Sequence, residues 1–268
     1  MITCSVFRCI IFFLVGEVVL KFKIFIINLD SSFKRLTSIK NQCEQLGIGF
    51  ERVSAVQGNK ISPEEKSRIY NVETNKQKYY KLLTDGEIGC YFSHTLCWQK
   101  ILDDDLDFAL VLEDDAILHS TLPKYISEIA KLNTNWDYIK LSHGRKKKHI
   151  EKTIALTGDL LLGTCAKLPS TCSGQFISKS GAKKLLSTAF PISRPVDSDI
   201  QYWFEKNLKC LVVRPFPVSN GDFGSDINKL GCRRQTKARQ IYRIWSKIKF
   251  ELSLILNKRH QGKLPSFR

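Results

Sequence analysis

Residues 108–115 read FALVLEDD, five apolar residues followed by three carboxylates. A short, unbroken apolar run of this kind is typical of a strand that is buried on both faces in a parallel sheet. Open α/β sheets bind their ligands at the carboxyl ends of such strands. The acids therefore predict a ligand site at this edge of the sheet, although a solvated acidic turn before the next helix would give the same pattern.

The three carboxylates are predicted to divide between two sides of the chain. On an extended backbone Glu113 and Asp115 point to one side, and Asp114 points to the other. Two hard oxygen ligands on one side suit Mg²⁺ or Mn²⁺ shared with a diphosphate. The spacing therefore favours a divalent-cation site at this segment.

Alternating strand and helix patterns surround this segment on both sides. Runs rich in β-branched and aromatic residues predict strands at 22–29, 48–56, 137–141, 174–177 and 209–214. Apolar residues at steps of three and four, with capping residues before them, predict helices that start near positions 31, 62, 84, 122, 180 and 196. This alternation indicates an α/β sandwich with a mostly parallel sheet.

The positive charge of the 268-residue chain is concentrated at one end. The chain has 42 Lys and Arg against 26 Asp and Glu, and residues 229–268 carry +11 of the formal net charge of +16. Large apolar residues recur there at helical steps of three and four, namely Ile241, Ile244, Trp245 and Ile248. A basic amphipathic helical tail of this kind indicates a polyanionic partner, such as anionic lipid, nucleic acid or an acidic protein.

The composition excludes several classes of protein. The 43% of apolar residues can form a sizeable core, which excludes wholesale disorder. The nine Cys are odd in number and form no CxxC pair, and the five His are not spaced with them as zinc ligands. We therefore expect reduced thiols that pack as small apolar groups.

The chain divides into three parts by composition. Residues 1–21 form an apolar leader that Glu17 interrupts; the leader is too short for a spanning helix and has no small-residue cleavage site. We interpret it as a dispensable leader or, alternatively, as a weak membrane anchor. Residues 22–228 form the predicted α/β domain, and residues 229–268 form the basic tail.

Four short motifs follow one another within residues 22–220. They read INLDS at 27–31, LTDGEIGCYFSH at 83–94, VLEDDA at 111–116 and PVDSDI at 195–200. In this order they resemble the motifs of glycosyltransferase family 25, which includes bacterial lipooligosaccharide galactosyltransferases and is related to collagen galactosyltransferases. The second motif is long and specific. Each of the other three would be weak evidence alone, but their order along the chain strengthens the resemblance.

The resemblance implies a GT-A type nucleotide-binding fold, a UDP-sugar donor (usually UDP-galactose) and a divalent metal, Mn²⁺ or Mg²⁺. It also implies inversion at the anomeric carbon, which gives a β-linkage. By the match, Asp115 would hold the metal together with Glu113 or Asp114. A cation held by carboxylates would neutralise the negative charge that develops on UDP as it leaves.

Side chains near the end of the first strand are candidates for donor binding. Asn28 and Asp30 are expected to contact the uridine or the ribose. Arg35, just after the strand, could meet the diphosphate or lie on the surface of the next helix. His94 is predicted to pack inside its helix, with a contact to acceptor or phosphate as the alternative.

Inversion requires a base that takes the proton from the acceptor hydroxyl as it attacks. Asp197 matches the family motif and is the first candidate, with Asp199 and Glu87 as the others. Structural roles are comparable alternatives, because Asp197 could cap the helix that starts near 196 and Glu87 could close a capping box with Thr84.

Together these observations predict a metal-dependent galactosyltransferase that extends a lipooligosaccharide or lipopolysaccharide core at the cytoplasmic face of the bacterial inner membrane. The basic tail would hold it on the anionic membrane surface as a peripheral protein. A nucleic-acid partner is disfavoured because aromatic residues are not interleaved with the basic ones as base-stacking platforms. A metal-dependent phosphohydrolase that uses residues 113–115 is the other alternative.

Overall fold

The computed structural model describes residues 11–15, 18–133, 135–144, 148–221, 240–258 and 264–267. The strands are β1 (Ile11–Val15), β2 (Val18–Asn28), β3 (Glu51–Ser54), β4 (Phe108–Glu113), β5 (Ala116–Leu118), β6 (Tyr138–Lys140), β7 (Thr153–Ala155), β8 (Leu161–Thr164), β9 (Gly174–Ser178), β10 (Cys210–Arg214) and β11 (Val218–Asn220). The α-helices are α1 (Phe33–Gln45), α2 (Pro63–Ile69), α3 (Val72–Lys78), α4 (Asp85–Asp103), α5 (Leu122–Ala130), α6 (Lys179–Ser187), α7 (Val196–Gln201) and α8 (Gln240–Asn257). Short 3-10 helices cover Gly58–Lys60 and Trp203–Lys206.

Nine strands form one central sheet in the order β1-β2-β4-β9-β6-β10-β8-β7, with β3 also paired to β2. Six of them run in one direction, and β1, β8 and β9 run in the other. β5 and β11 form a separate antiparallel pair. The predicted α/β architecture with a mostly parallel sheet is therefore confirmed, and the C-terminal helix is present as α8.

Strand β4 lies inside the sheet between β2 and β9, and its sequence explains this position. All its residues up to Leu112 are buried. Ala109 and Val111 belong to the core on one face of the sheet, whereas Phe108, Leu110 and Leu112 belong to the core on the other. An unbroken apolar run is what a strand covered on both faces requires.

Glycines allow the loop after β3 to lie directly against helix α4. A Cβ atom at Gly89 would lie 2.4 Å from the carbonyl oxygen of Val56, and one at Gly58 would lie 1.7 Å from that of Asp85. Since both neighbours are backbone atoms, only glycine fits at these two positions. This close approach fixes the start of α4, which carries Glu87.

We expect Gly89→Ala to lower the free energy of unfolding by about 2 kcal/mol. Overpacking against backbone costs about 3 kcal/mol, and the better helix propensity of alanine returns about 1 kcal/mol. Chemical denaturation measures the difference. Gln99→Ala, at an exposed position of the same helix, is the matched control and should change the value by less than about 0.5 kcal/mol. Equal stability of Gly89→Ala and the wild type would contradict the close approach.

The structure differs from the predicted elements mainly in short segments. β2 begins at Val18, before the predicted position 22, and pairs with β1. The strand predicted at 48–56 is shortened to Glu51–Ser54. The helix predicted to start near 196 is the α-helix α7, followed by the 3-10 helix Trp203–Lys206. β1, β5, β7, β8, β11 and α3 were not predicted, because elements of three to seven residues contain too little periodicity to be recognised.

Helix α8 packs against the rest of the chain by one side only. Phe250 and Leu254 are buried there and join the same core as α4. The opposite side, here called the exposed face of α8, consists of Ile241, Ile244, Trp245, Ile248, Leu252, Ile255 and Leu256, which are at least 45% exposed. Residues 1–10 of the predicted leader and the predicted boundary at 228 lie outside the described residues. Within the described ranges, no helix is both long and apolar enough to cross a membrane.

Candidate functional site

A cleft of about 160 Å³ lies at the carboxyl end of β4. Three of the four sequence motifs contribute to its wall: the second through Glu87, the third through Glu113 and Asp115, and the fourth through Asp197. These carboxylates come from α4, from the end of β4 and from α7. The fold therefore brings four of the predicted site residues together in one cleft.

Glu113 is held at the end of β4 by helix α4. His94 Nε2 lies 3.2 Å from Glu113 Oε1, and Cys90 Sγ lies 3.9 Å from the same oxygen. Burial acts to raise the pKa of Glu113, but the hydrogen bond and charge of His94 and the charge of Lys140 outweigh it and hold this pKa below its usual range. Glu113 therefore faces the cleft as a carboxylate.

Asp115 presents to the cleft a carboxylate oxygen that receives no hydrogen bond from the described residues. Its Oδ1 is buried and has no hydrogen-bond partner among the described residues. Burial, followed by the charges of Glu113 and Asp114, raises the pKa of Asp115 to about 7. A buried charge without a partner is costly, and a divalent cation would supply the missing counter-charge. Asp115 and Glu113 therefore fit such a cation by burial, charge and oxygen chemistry.

Asp114 lies away from the cleft, in the turn that it forms with Asp115 between β4 and β5. Asn28 Nδ2 donates to Asp114 Oδ2 at 2.7 Å, and Arg35 Nη1 lies 3.3 Å from Asp114 Oδ1. Asp114 thus links β4 to the end of β2 and to α1. This position does not support the expectation that Asp114 is a metal ligand or that Arg35 is open to a diphosphate.

Two further residues that were predicted to contact the sugar donor, Asn28 and Asp30, form hydrogen bonds with other side chains of the protein. Asn28 is buried, and while its Nδ2 donates to Asp114, its Oδ1 accepts from Arg52 Nε at 2.9 Å. Asp30 is exposed, pairs with Arg52 and accepts a hydrogen bond from Ser54 Oγ at 2.8 Å. The amide of Asn28 is thus occupied at both ends, whereas Asp30 remains at the surface, and the contacts of both residues with the donor stay predictions.

Asp197 and Asp199 point in different directions from helix α7. Two residues along an α-helix correspond to a rotation of about 200°. Asp197 lines the cleft. Asp199 is buried beneath the helix, where Tyr91 Oη donates to it at 2.7 Å and Lys206 Nζ lies 2.8 Å away.

The surroundings of Asp199 do not support its predicted role as a base. Arg194 Nη1 lies 3.2 Å from Asp199 Oδ1. Burial acts to raise the pKa of Asp199, but the charges of Lys206 and Arg194 outweigh it and hold this pKa below its usual range. An ionised, fully paired carboxylate outside the cleft fixes α7 and so positions Asp197.

Glu87 caps the start of α4 and also lines the cleft. Its carboxylate accepts from the Thr84 backbone N at 3.0 Å, and Thr84 Oγ1 accepts from the Glu87 backbone N at 3.2 Å. Lys81 Nζ lies 3.2 Å from Glu87 Oε1. The predicted capping box is therefore present, and these donors make Glu87 a weaker candidate base than Asp197.

The cleft region also contains charged and thiol groups that the sequence did not single out. Lys140, in β6, is fully buried, and burial lowers its pKa against the opposing charges of Glu113 and Asp197. One local indication of this group was present in the sequence. Lys140 stands inside an apolar strand pattern, and a charge that is buried there needs partners. Cys172 lines the cleft wall and gave no signal at all.

Comparison with known proteins identifies the family. The family model described as "Glycosyltransferase family 25 (LPS biosynthesis protein)" matches residues 21–200. A glycosyltransferase 25 family member of Aedes aegypti is 30% identical over 193 residues, which are 69% of this chain and 31% of that protein. Procollagen galactosyltransferase 1-B of Xenopus laevis is 30% identical over 196 residues, with the same two shares of 69% and 31%.

A bacterial protein is also similar. A protein of Haemophilus influenzae, whose name assigns it provisionally to the glycosyltransferases, is 28% identical over 176 residues, which are 65% of this chain and 61% of that protein. The chain spans about a third of the length of the two animal relatives. The family match covers about two thirds of this chain and includes all four motifs. The resemblance drawn from those motifs is thus confirmed, and the chain belongs to glycosyltransferase family 25.

Proposed function

We propose that this protein transfers galactose from UDP-galactose to a core saccharide of lipooligosaccharide or lipopolysaccharide, with inversion and formation of a β-linkage. The observation that carries the proposal is the meeting of Glu87, Glu113, Asp115 and Asp197 in one cleft. The name of the procollagen galactosyltransferase relative supports the choice of sugar. The description of the family as lipopolysaccharide biosynthesis proteins supports the choice of acceptor.

Asp115 and Glu113 would hold a divalent cation, Mn²⁺ or Mg²⁺. Carboxylate oxygens are the ligands that these ions prefer. Asp115 Oδ1 has no hydrogen-bond donor within the described part of the chain. When bound, the cation would neutralise the charge that develops on the diphosphate of the leaving UDP. Asp114 would act indirectly, by fixing the backbone between these two ligands.

Asp197 would act as the base. Its carboxylate would take the proton of the acceptor hydroxyl while the hydroxyl oxygen forms a bond to the anomeric carbon of the donor. The bond from that carbon to the UDP oxygen breaks, and its electron pair leaves with UDP. Attack on the side opposite UDP gives the inverted β-linkage. The ion pairs of Asp199 with Arg194 and Lys206 support this role by fixing the helix that carries Asp197.

Product analysis tests the proposal. The full chain is incubated with Mn²⁺, UDP-galactose and a lipooligosaccharide core that lacks its outer sugars, with UDP-glucose and UDP-N-acetylhexosamines as comparison donors. We expect a product that is heavier by one hexose and shows a new β-anomeric proton in its NMR spectrum. An α-linked product would contradict inversion, and the absence of product with every donor would contradict transfer to this acceptor.

We propose, in addition, that α8 holds the enzyme on the cytoplasmic surface of the inner membrane. The exposed face of α8 presents seven large apolar side chains, and two exposed basic residues border it, namely Lys247 and Lys249. The one acidic residue of the helix, Glu251, is paired with Lys167. An apolar stripe bordered by cations suits the headgroup region, where each cation contributes about 1 kcal/mol on an anionic surface.

Replacing Ile244 and Trp245 together by Ser should weaken binding to anionic vesicles at least tenfold. Full burial of one such side chain contributes about 1.5–3 kcal/mol, and about 1.4 kcal/mol corresponds to a factor of ten. Both residues are about 60% exposed. The substitutions spare Phe250 and Leu254, which pack inward, whereas deletion of 229–268 would remove them as well.

Co-sedimentation with phosphatidylglycerol vesicles measures this effect, and phosphatidylcholine vesicles show the contribution of charge. Phe33→Ser is the matched control, because Phe33 is 72% exposed on α1, away from the basic helix. This control should bind as the wild type does. Unchanged binding of the double variant would count against membrane attachment through α8.

A further inference from the structure

A second set of metal-binding side chains lies beside the proposed Mn²⁺ ligands. Cys90, His94 and Glu113 each offer one ligand atom, and these atoms lie within 4.8 Å of one another. Glu113 Oε1 is 3.2 Å from His94 Nε2 and 3.9 Å from Cys90 Sγ. In a tetrahedral zinc site with bonds of about 2.0 Å to nitrogen or oxygen and about 2.3 Å to sulfur, ligand atoms lie about 3.3–3.6 Å apart. The three atoms therefore need to move little to enclose such an ion.

The fold explains why these three groups meet. Cys90 and His94 are four residues apart in α4 and so share one side of the helix. Glu113 ends β4, which contacts that side. His94 is buried, and its Nδ1 lies 3.5 Å from the side-chain amide of Gln175. The amide atom nearest to Nδ1 is Gln175 Nε2, a donor, so the ring accepts this contact. Ligation of zinc through Nε2 would leave the ring proton on Nδ1, and the amide of Gln175 would then turn its oxygen towards the ring to accept it.

We propose that Zn²⁺ binds to Cys90, His94 and Glu113, with its fourth coordination position towards the cleft. Thiolate and imidazole ligands select zinc over Mn²⁺ and Mg²⁺. Three protein ligands with an open position are typical of zinc sites that are accessible to small molecules. Cys90 and Glu113 line the cleft, which gives the ion a path of entry. Binding releases the thiol proton of Cys90 to solvent.

The zinc site would share Glu113 with the proposed Mn²⁺ site. Zinc that occupies Glu113 removes a ligand from the cation at Asp115, so the two ions would compete. This consequence, unlike the site itself, rests on the proposed function. The spacing of Cys and His in the sequence did not predict the site, because Glu113 follows His94 by 19 residues and only the fold places it beside α4.

Cobalt(II), an optical substitute for zinc, tests the site on the full chain purified without metal. We expect a thiolate-to-cobalt absorption band in the wild type that one equivalent of Zn²⁺ abolishes by displacement. Cys90→Ser should remove the band, and His94→Gln should weaken cobalt binding at least tenfold. Cys172→Ser removes another thiol of the cleft wall and, as the matched control, should keep the band.

Circular dichroism of each variant shows first that it is folded, which matters most for the buried His94. A band that persists in folded Cys90→Ser, or no band in the wild type, would overturn the proposed site. The measurement uses no sugar donor and is therefore independent of glycosyl transfer. With Mn²⁺ and donor present, one equivalent of Zn²⁺ should slow UDP release at least tenfold, and a cobalt band without this inhibition would overturn only the sharing of Glu113.

Discussion

Asp115→Asn should abolish the activation of UDP release by Mn²⁺ and slow the release about 1000-fold. A neutral amide cannot balance the charge of the cation, and a metal that stabilises the transition state by about 4 kcal/mol accounts for a factor of about 1000. Initial rates over a series of Mn²⁺ concentrations measure both effects. We expect both effects because Asp115 Oδ1 is buried and has no hydrogen-bond donor among the described residues.

Asp114→Asn is the matched control for this experiment. Asp114 is adjacent in sequence but bonds to Asn28 and Arg35 on the other side of the chain. It should retain activation by Mn²⁺, because it contributes no oxygen to the cleft. If Asp114→Asn lost activation and Asp115→Asn kept it, our assignment of the metal ligands would be reversed.

The binding of Mn²⁺ should also depend on pH in a defined direction. Burial and the neighbouring carboxylates raise the pKa of Asp115 to about 7. Below that pH the carboxyl group is protonated and must release its proton before it can hold a cation. The apparent affinity should therefore fall up to about tenfold for each pH unit below 7 and level off above it. Calorimetric titration with Mn²⁺ between pH 5 and 8 measures the dependence, and an affinity that does not change over this range would contradict it.

Asp197→Asn should lower the rate of transfer by about 100- to 10,000-fold and leave the affinity for UDP nearly unchanged. Loss of a general base typically costs this factor, and Asp197 is proposed to meet the acceptor rather than the nucleotide. Single-turnover rates and calorimetric titration with UDP separate the two quantities. Asp197→Glu, which restores a carboxylate, should recover part of the rate.

Two further variants make the assignment of the base specific. Asp199→Asn should lower the free energy of unfolding by about 3 kcal/mol, because it leaves buried Lys206 without its carboxylate, although Arg194 keeps its ion pair with Glu205. Glu87→Gln should slow transfer less than Asp197→Asn does. A larger loss of rate in folded Glu87→Gln than in Asp197→Asn would instead identify Glu87 as the base.

The central strand and the acidic edge of the site could be predicted from sequence because their signals are local. Residues 108–115 combine an unbroken apolar run with the acids that follow it, and the structure contains β4 in that place. The division of Glu113 and Asp115 from Asp114 agrees with the alternation expected of an extended chain, although Asp114 and Asp115 lie in the turn after β4. The capping box of α4 is equally local, since it involves residues three positions apart.

The remaining features depend on contacts between distant parts of the chain. Asp199 accepts a hydrogen bond from Tyr91, 108 positions earlier, and Asn28 donates to Asp114, 86 positions later. No local pattern distinguishes a carboxylate that faces a cleft from one that faces a buried arginine. The same holds for α8, whose apolar residues were predicted although the side that packs inward was not.

UDP release by the wild type and by Asp115→Asn, measured over a panel of UDP-sugars with Mn²⁺ or EDTA and core lipooligosaccharide, tests the central claim most directly. We predict release from UDP-galactose that requires Mn²⁺ and that both EDTA and Asp115→Asn abolish. Release that neither treatment changes, or no release from any UDP-sugar, would contradict a metal-dependent galactosyl transfer in the cleft of Glu113, Asp115 and Asp197.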